Sequence, residues 1–390
     1  MISEDSKKVL DMFENKKAVM VAQIAPAVRV SIGEEFGYKP GKEITEKLIS
    51  ALRELGFDYV FDTCFGADIV TLEEAFELDL RLKNNGPFPL MTSCCIGWRN
   101  HGMKFYPEKL KKLSTCMAPQ ITLGALINSY LLKYLKVKTD KQVGVVSIMP
   151  CILKKQEAKQ EASIGLEEVN FVLTTKECAD LLKYKNIDLK KCKKQDFDKY
   201  LGHATQAGKK FGATGGVLEA VINTYSTMKG DKTRITIDDN EPINEYKVKI
   251  NGKELNIAKV WTLPNLDKLL KKAEKENKVY HLIEVMACPY GCIGGPGQPI
   301  PANDEKNKKR AQALRKYAKK EKMKTPYDNK DIRKIYNLYL DKIGTEKTKE
   351  LLHMGFINTK IKNNLKTNKK LIKNQKYKNL KTKEKKRGKK

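Results

Sequence analysis

The sequence predicts an α/β fold with largely parallel strands. Short apolar runs of strand length alternate with amphipathic stretches of helix length from the N-terminus onward, 41% of the 390 residues are hydrophobic, and no fixed-period repeat overrides that alternation.

A short helix is expected over 1–16, and Ala18-Val19-Met20-Val21-Ala22 reads as the first strand. Helical spacing from Glu43 to Leu55, a strand at Tyr59-Val60-Phe61 and a second helical pattern from Leu72 to Leu82 follow. Val143-Gly144-Val145-Val146-Ser147-Ile148 is a strand, a helix opens after Thr174, and Arg234 to Val260 is compatible with a hairpin. A Lys-rich helix from Asn265 to Asn277 leads into a strand at His281 to Val285. These elements make one large unit, 17–302. After Pro301 the chain changes character: Ala311–Lys320, Lys330–Leu340 and Thr345–His353 read as short, highly charged helices of an appended segment, 303–356. From 357 to 390 there are many Lys and Asn, a single acidic residue (Glu384) and almost nothing to bury, which predicts a disordered basic tail.

No apolar run approaches the roughly 20 residues of a membrane helix, and the N-terminus lacks a basic segment followed by an apolar one, so a non-membrane, cytoplasmic protein is expected. The formal charge of +29 favours acidic partners. Nucleic acid is not expected among them, because the Lys-rich segments lack interleaved aromatics and any binding motif. Nine cysteines, an odd number scattered through a long chain, speak against a disulfide scaffold and for thiolate chemistry or metal ligation.

Three segments each place cysteine in a loop directly after an expected strand, where a rigid sheet can aim it into a cleft. They are Thr92-Ser93-Cys94-Cys95-Ile96-Gly97-Trp98, Met149-Pro150-Cys151-Ile152-Leu153-Lys154-Lys155-Gln156-Glu157 and Glu284-Val285-Met286-Ala287-Cys288-Pro289-Tyr290-Gly291-Cys292. Convergent thiolates from separate strand ends suit a soft metal site. Zinc remains open at this point, since Cys288 and Cys292 fall within the spacing of structural zinc pairs. The glycines at 291, 294, 295 and 297 are expected to admit a bulky inorganic group.

In order and separation these segments resemble the three signature motifs of the [FeFe]-hydrogenase (iron-only hydrogenase) catalytic domain. The likeness extends through Phe65-Gly66-Ala67-Asp68, Gly86-Pro87-Phe88-Pro89, Phe211-Gly212-Ala213-Thr214-Gly215-Gly216-Val217 and Gly297-Gln298-Pro299, and the segment ending Leu351-Leu352-His353 is similar to the family's small-subunit region. It implies a two-lobed fold, each lobe a mainly parallel sheet flanked by helices, followed by a helical C-terminal segment.

The resemblance implies that Cys95, Cys151, Cys288 and Cys292 ligate a [4Fe-4S] cluster. Cys292 would also bridge to a two-iron unit carrying CO, CN and azadithiolate ligands. Lys154 matches the lysine that donates to a cyanide, and Pro26, Ala27, Gln120, Met149, Pro150 and Met286 match other pocket positions. Cys94, Glu74, Glu77, Ser114 and Arg81 match the family's proton relay; Glu74, Glu77 and Arg81 stand at i, i+3 and i+7 of an expected helix. The remaining Cys64, Cys116, Cys178 and Cys192 match no ligand position and are expected as buried small hydrophobes, and the four histidines form no metal-spaced pair. Ile96, Pro296 and Ala27 depart from residues usual in the family. The resemblance further implies reversible proton reduction to H2 by a minimal monomer without accessory cluster domains, in the cytoplasm or, in a eukaryote, an anaerobic organelle, with a non-catalytic Nar1-like iron–sulfur assembly factor or a hydrogen sensor of the same fold as the alternatives. An acidic ferredoxin would carry its electrons and maturation enzymes would build its two-iron unit.

Overall fold

Ala18–Ile24 (β1) is apolar along nearly its whole length, as a strand covered on both faces requires, and it runs through the middle of the first sheet. In the computed structural model, which describes residues 2–15, 18–131, 142–160, 168–238 and 240–354, this sheet has the order β2-β1-β4-β5, with β2 at Tyr59–Asp62, β4 at Gln142–Met149 and β5 at Phe171–Thr174. Every pairing in it is parallel. The second sheet has the order β3-β8-β7-β6, with β3 at Leu90–Met91, β6 at Ile243–Ile250, β7 at Lys253–Trp261 and β8 at Leu282–Met286. Here β3, β8 and β7 run parallel, while β6 pairs antiparallel with β7.

That antiparallel edge is the expected hairpin, shortened to start at Ile243. Its two-residue connection, Asn251-Gly252, has positive φ at both positions (45° and 79°), the conformation that matches the twist of the flanking strands. Another expectation shifts more. The helix anticipated from Leu72 begins at Thr63, where the Asp62 carboxylate caps it by accepting from Cys64 N at 2.9 Å, and runs to Lys83. Its first turns are buried on all sides, so they carry no polar face to reveal a helical period. Likewise the helix expected from Ala311 starts at Asp304, capped by Asn303, and the stretch Lys330–Leu340 is α-helical only to Ile335, closing in a π turn at Tyr336–Leu340. The N-terminal helix spans Glu4–Asn15. The tail from 357 lies outside the described residues, and no described helix is long and apolar enough to cross a membrane.

Parallel strands send their C-terminal ends to one edge of each sheet, and these edges carry the singled-out loops. β1 leads into Pro26-Ala27, β3 into Cys94-Cys95, β4 into Pro150-Cys151 and β8 into Cys288–Cys292.

Candidate metal centre

Strand ends from both sheets meet around one cavity, lined among others by Pro26, Ala27, Cys94, Gln120, Met149, Pro150, Lys154 and Cys292. Thr63 and Pro119 also line it without having been singled out from the sequence, and Phe211 and Gly212, quoted only for the family likeness, join them. Met286 is the exception among the expected pocket residues. It lies 1% exposed at the end of β8, packed in the second sheet's core, and is not among the lining residues.

The four expected ligands are all partly buried and unpaired by disulfides. Cys95 precedes the helix Ile96–Phe105, and its Sγ accepts from Ala287 N at 3.4 Å, so the first cysteine loop is tied to the third. Cys151 pairs in a bridge with Gly297, and Ile152 N donates to Pro296 O at 3.0 Å, which ties the second loop to the glycine run. The glycines serve this tie. A Cβ at Gly295 would stand 2.5 Å from Pro150 O, and one at Gly297 would stand 2.9 Å from the same oxygen, so their bareness brings two cysteine loops into backbone contact.

Burial pushes the Cys288 thiol up to about 12, aided by the neighbouring Cys95 and Cys151, and burial and the same neighbours raise Cys292 as well. Four thiolates this close repel one another in a dry site, so the set gathers naturally only around a positively charged group. Among the described residues no three His, Cys, Asp or Glu side chains converge on a single-ion position. A cubane instead seats each thiolate on a separate iron, and an all-cysteine donor set of four fits it. Cys64, Cys116, Cys178 and Cys192 are buried, as expected.

One wall of the cavity is a fixed ion pair. Lys154 Nζ donates to both oxygens of Glu157 at 2.7 Å and to Cys94 O at 2.8 Å. Gln120 Nε2 also donates to Glu157, at 2.7 Å, and the Gln120 Oε1 is buried without a partner. Burial pulls the Lys154 ammonium down, but the charge and hydrogen bonds of Glu157 outweigh it and the group is held cationic. Glu157 was not singled out from the sequence as a site residue.

Next to Cys94 stands the expected relay. Glu77 binds Arg81 at 2.6 Å and accepts from Ser114 Oγ at 3.2 Å; Arg81 is further fixed on the carbonyls of Pro87, Lys112 and Leu113. Glu74 is 1% exposed and neither of its oxygens has a partner at full hydrogen-bond geometry, although the Ser114 hydroxyl and the Ser93 N–H lie near enough to lower its value somewhat. Burial, then the charge of Glu77, raises its carboxyl to about 8, and Glu74 in turn helps burial raise the Cys94 thiol. The structure therefore brings Cys94, Glu74, Ser114, Glu77 and Arg81 into one buried cluster.

Residues 18–296 match the family described as iron only hydrogenase large subunit, C-terminal domain, and residues 304–359 match the iron hydrogenase small subunit. The NADP-reducing hydrogenase subunit HndD of Solidesulfovibrio fructosivorans is 39% identical over 363 residues, which cover 90% of this chain and 62% of that protein. The cytosolic Fe-S cluster assembly factor narfl of Danio rerio is 28% identical over 374 residues, 87% of each chain. The solved structure of apo [FeFe]-hydrogenase HydA1 from Chlamydomonas reinhardtii superposes with a TM-score of 0.79 at 31% identity, covering 90% of this chain and 98% of that one. With its large-subunit match spanning most of the chain and both sheets reproduced in a solved relative, this protein belongs to the iron-only hydrogenase family.

Proposed function

We propose that the chain is a catalytic [FeFe]-hydrogenase that interconverts protons, electrons and H2. One observation carries the reading: a cavity lined by Cys94 and by the anchored cation Lys154 adjoins the four thiols, and a buried carboxyl able to exchange protons near neutral pH, Glu74, stands beside Cys94. Cys95, Cys151, Cys288 and Cys292 would hold a [4Fe-4S] cluster, with Cys292 shared with a two-iron unit bearing CO, CN and azadithiolate ligands. That unit, when bound, supplies the metal at which protons and electrons combine.

The chain's own residues do the rest. The two oxygens of Glu157 can share one N–H of Lys154 while Cys94 O takes another, leaving a third for an anionic ligand in the cavity. Pro26, Ala27, Met149 and Pro150 exclude water around it. Arg81 and Glu77 at the outer end, then Ser114, Glu74 and Cys94, offer a proton a route of titratable or hydroxyl groups through an otherwise apolar wall. Electrons would come from an acidic ferredoxin drawn by the basic surface, and maturation enzymes would supply the two-iron unit to the cytoplasmic monomer.

A second reading, a non-catalytic iron–sulfur assembly factor, is favoured by the 28% identity to narfl. Reconstitution separates the two. The purified chain, loaded with iron, sulfide and a synthetic two-iron complex, should show carbonyl and cyanide infrared bands and evolve H2 from a reduced dye. Cys94→Ala should keep the bands and cut turnover by orders of magnitude, because alanine cannot lose and regain a proton. A protein that binds a cubane but neither takes up the two-iron unit nor evolves H2 is the assembly factor, and zinc in place of iron after anaerobic purification overturns both readings.

A further inference from the structure

Behind the relay the C-terminal segment contributes a second buried polar set. Residues 115–117 and 352–354 pair like antiparallel strands: Met117 N donates to Leu352 O at 2.8 Å and Met354 N to Thr115 O at 2.6 Å, on either side of a Cys116–His353 bridge. This pairing lays the buried His353 ring on Thr115, with Nδ1 2.7 Å from Oγ1. Across the ring, Nε2 is 3.2 Å from Glu73 Oε2, and Glu73 is held by the Tyr336 hydroxyl at 2.7 Å and by Gly344 N at 3.1 Å. Thr115 also faces Glu77. Its N–H donates to Glu77 Oε2 at 3.1 Å, and its hydroxyl lies 3.4 Å from the same oxygen.

The Thr115 hydroxyl has one hydrogen and two acceptors in reach. When His353 is neutral, the Glu73 carboxylate selects the tautomer with hydrogen on Nε2, and the lone pair on Nδ1 claims the hydroxyl hydrogen. The short contact to His353 and the long one to Glu77 match that arrangement. When His353 is protonated, Nδ1–H donates to Oγ1, and the hydroxyl is released to donate to Glu77. The other titratable groups facing this set are Cys116, whose Sγ stands 3.9 Å from His353 Nδ1, farther than the Thr115 hydroxyl, and whose thiol is raised by burial and by Glu74, Glu77 and Glu73, then Tyr336 and Tyr327 beside Glu73, and Arg81 on Glu77.

We propose that His353 is a positioning residue for the relay, its protonation deciding whether the Thr115 hydroxyl serves His353 or Glu77. The C-terminal segment thereby sets the hydrogen-bond state of the relay's outer carboxylate. Calling Glu77 a relay group rests on the proposed function, whereas the hydroxyl exchange does not.

The chain has four histidines, so ¹⁵N-histidine spectra with His353→Gln as the assignment control locate the His353 titration. Infrared difference spectra across that titration should contain a carboxyl or carboxylate component that Glu77→Gln removes. The component should persist in Thr115→Ser and vanish in Thr115→Val and His353→Gln. Its absence from the parent, its survival in Thr115→Val, or a His353 that does not titrate while the protein stays folded would overturn the proposal. In the loaded enzyme the acid limb of the pH profile for dye-linked turnover should shift several-fold in Thr115→Val and not in Thr115→Ser. A parent that evolves no H2 defeats the hydrogenase reading and leaves the infrared result to decide this one.

Discussion

Two buried carboxylates flank the cavity in opposite electrostatic situations. Glu157 is fully buried and ligated by Lys154 and Gln120, so its charge is matched on the spot. Glu74 is equally buried and has no cationic partner, only weak contacts from the Ser114 hydroxyl and the Ser93 N–H, with the Glu77 carboxylate as the largest charged influence on it. Burial alone therefore does not fix a carboxylate's role; the partner does. The matched pair is a fixed charge that can anchor an anionic ligand, and the unmatched group is one whose proton comes and goes.

The largest effect should come from breaking the matched pair. Glu157→Leu leaves the Lys154 ammonium buried beside only Cys94 O, and an orphaned buried charge costs roughly 3–5 kcal/mol. Removing both members, in Lys154→Met with Glu157→Leu, should recover most of that loss, because the other cation near Glu157, Arg99 at 3.9 Å, is partly exposed to solvent. Urea unfolding midpoints of the three proteins measure this. If the single variant were as stable as the double, Lys154 would have found another partner and the anchor would not be fixed.

How much of this could be read in the sequence follows the separation of the partners. The cysteine loops were legible because ligand, following helix and glycine run are contiguous, and the alternation of strands and helices placed each loop at a strand end. The contact that Gly295 must clear, Pro150 O, was not legible, since nothing in the string shows which backbone it meets. Met286 packs in the core outside the cavity's lining, and an apolar residue beside a cysteine motif reads alike whether it faces a cavity or the core. Glu73 and Thr115 carried no signal, and His353 none beyond its place at the end of the small-subunit-like segment, for the His353–Glu73 contact joins residues 280 positions apart. The all-buried start of the helix Thr63–Lys83 was missed because amphipathic periodicity needs a polar face.

The unmatched carboxylate gives the intermediate effect, and its sign is fixed. A glutamate with the ordinary value of 4.5 keeps its proton up to about 8 at position 74 in the folded protein. Between those values the native state holds one more proton than the unfolded chain. The stabilisation from this group is thus complete below the unfolded value and is lost as pH rises through the folded one. The slope is at most about 1.4 kcal/mol per pH unit, which accumulates to a few kcal/mol across the window. Glu74→Gln removes that dependence, so its stability relative to the parent should rise steadily from about pH 5 to about pH 8. A difference that stayed flat with pH would mean that Glu74 is ionised throughout, and the contrast with Glu157 would disappear.

The smallest effect tests whether position rather than residue type makes Lys154 special, and its neighbour is the control. Lys155 follows it on the same helix but points outward, where its ammonium bridges Asp5 and Glu177, each at 2.7 Å. Burial lowers this lysine's value somewhat and the two carboxylates more than restore it. Asp5, Lys155 and Glu177 are all partly exposed, so solvent screens both contacts and most of the Coulomb gain is offset by the cost of ordering long side chains. Lys155→Met should cost about 1 kcal/mol or less, and the cost should shrink further in high salt, because screening weakens exposed pairs first. Removing the Lys154–Glu157 match should be nearly indifferent to salt, since ions do not reach it. Unfolding both variants in low and in high salt compares the two directly. If Lys155→Met cost as much as Glu157→Leu and resisted salt equally, the N-terminal helix would be held as tightly as the cavity wall, and the contrast between a buried matched charge and a surface one would fail for this pair of adjacent lysines.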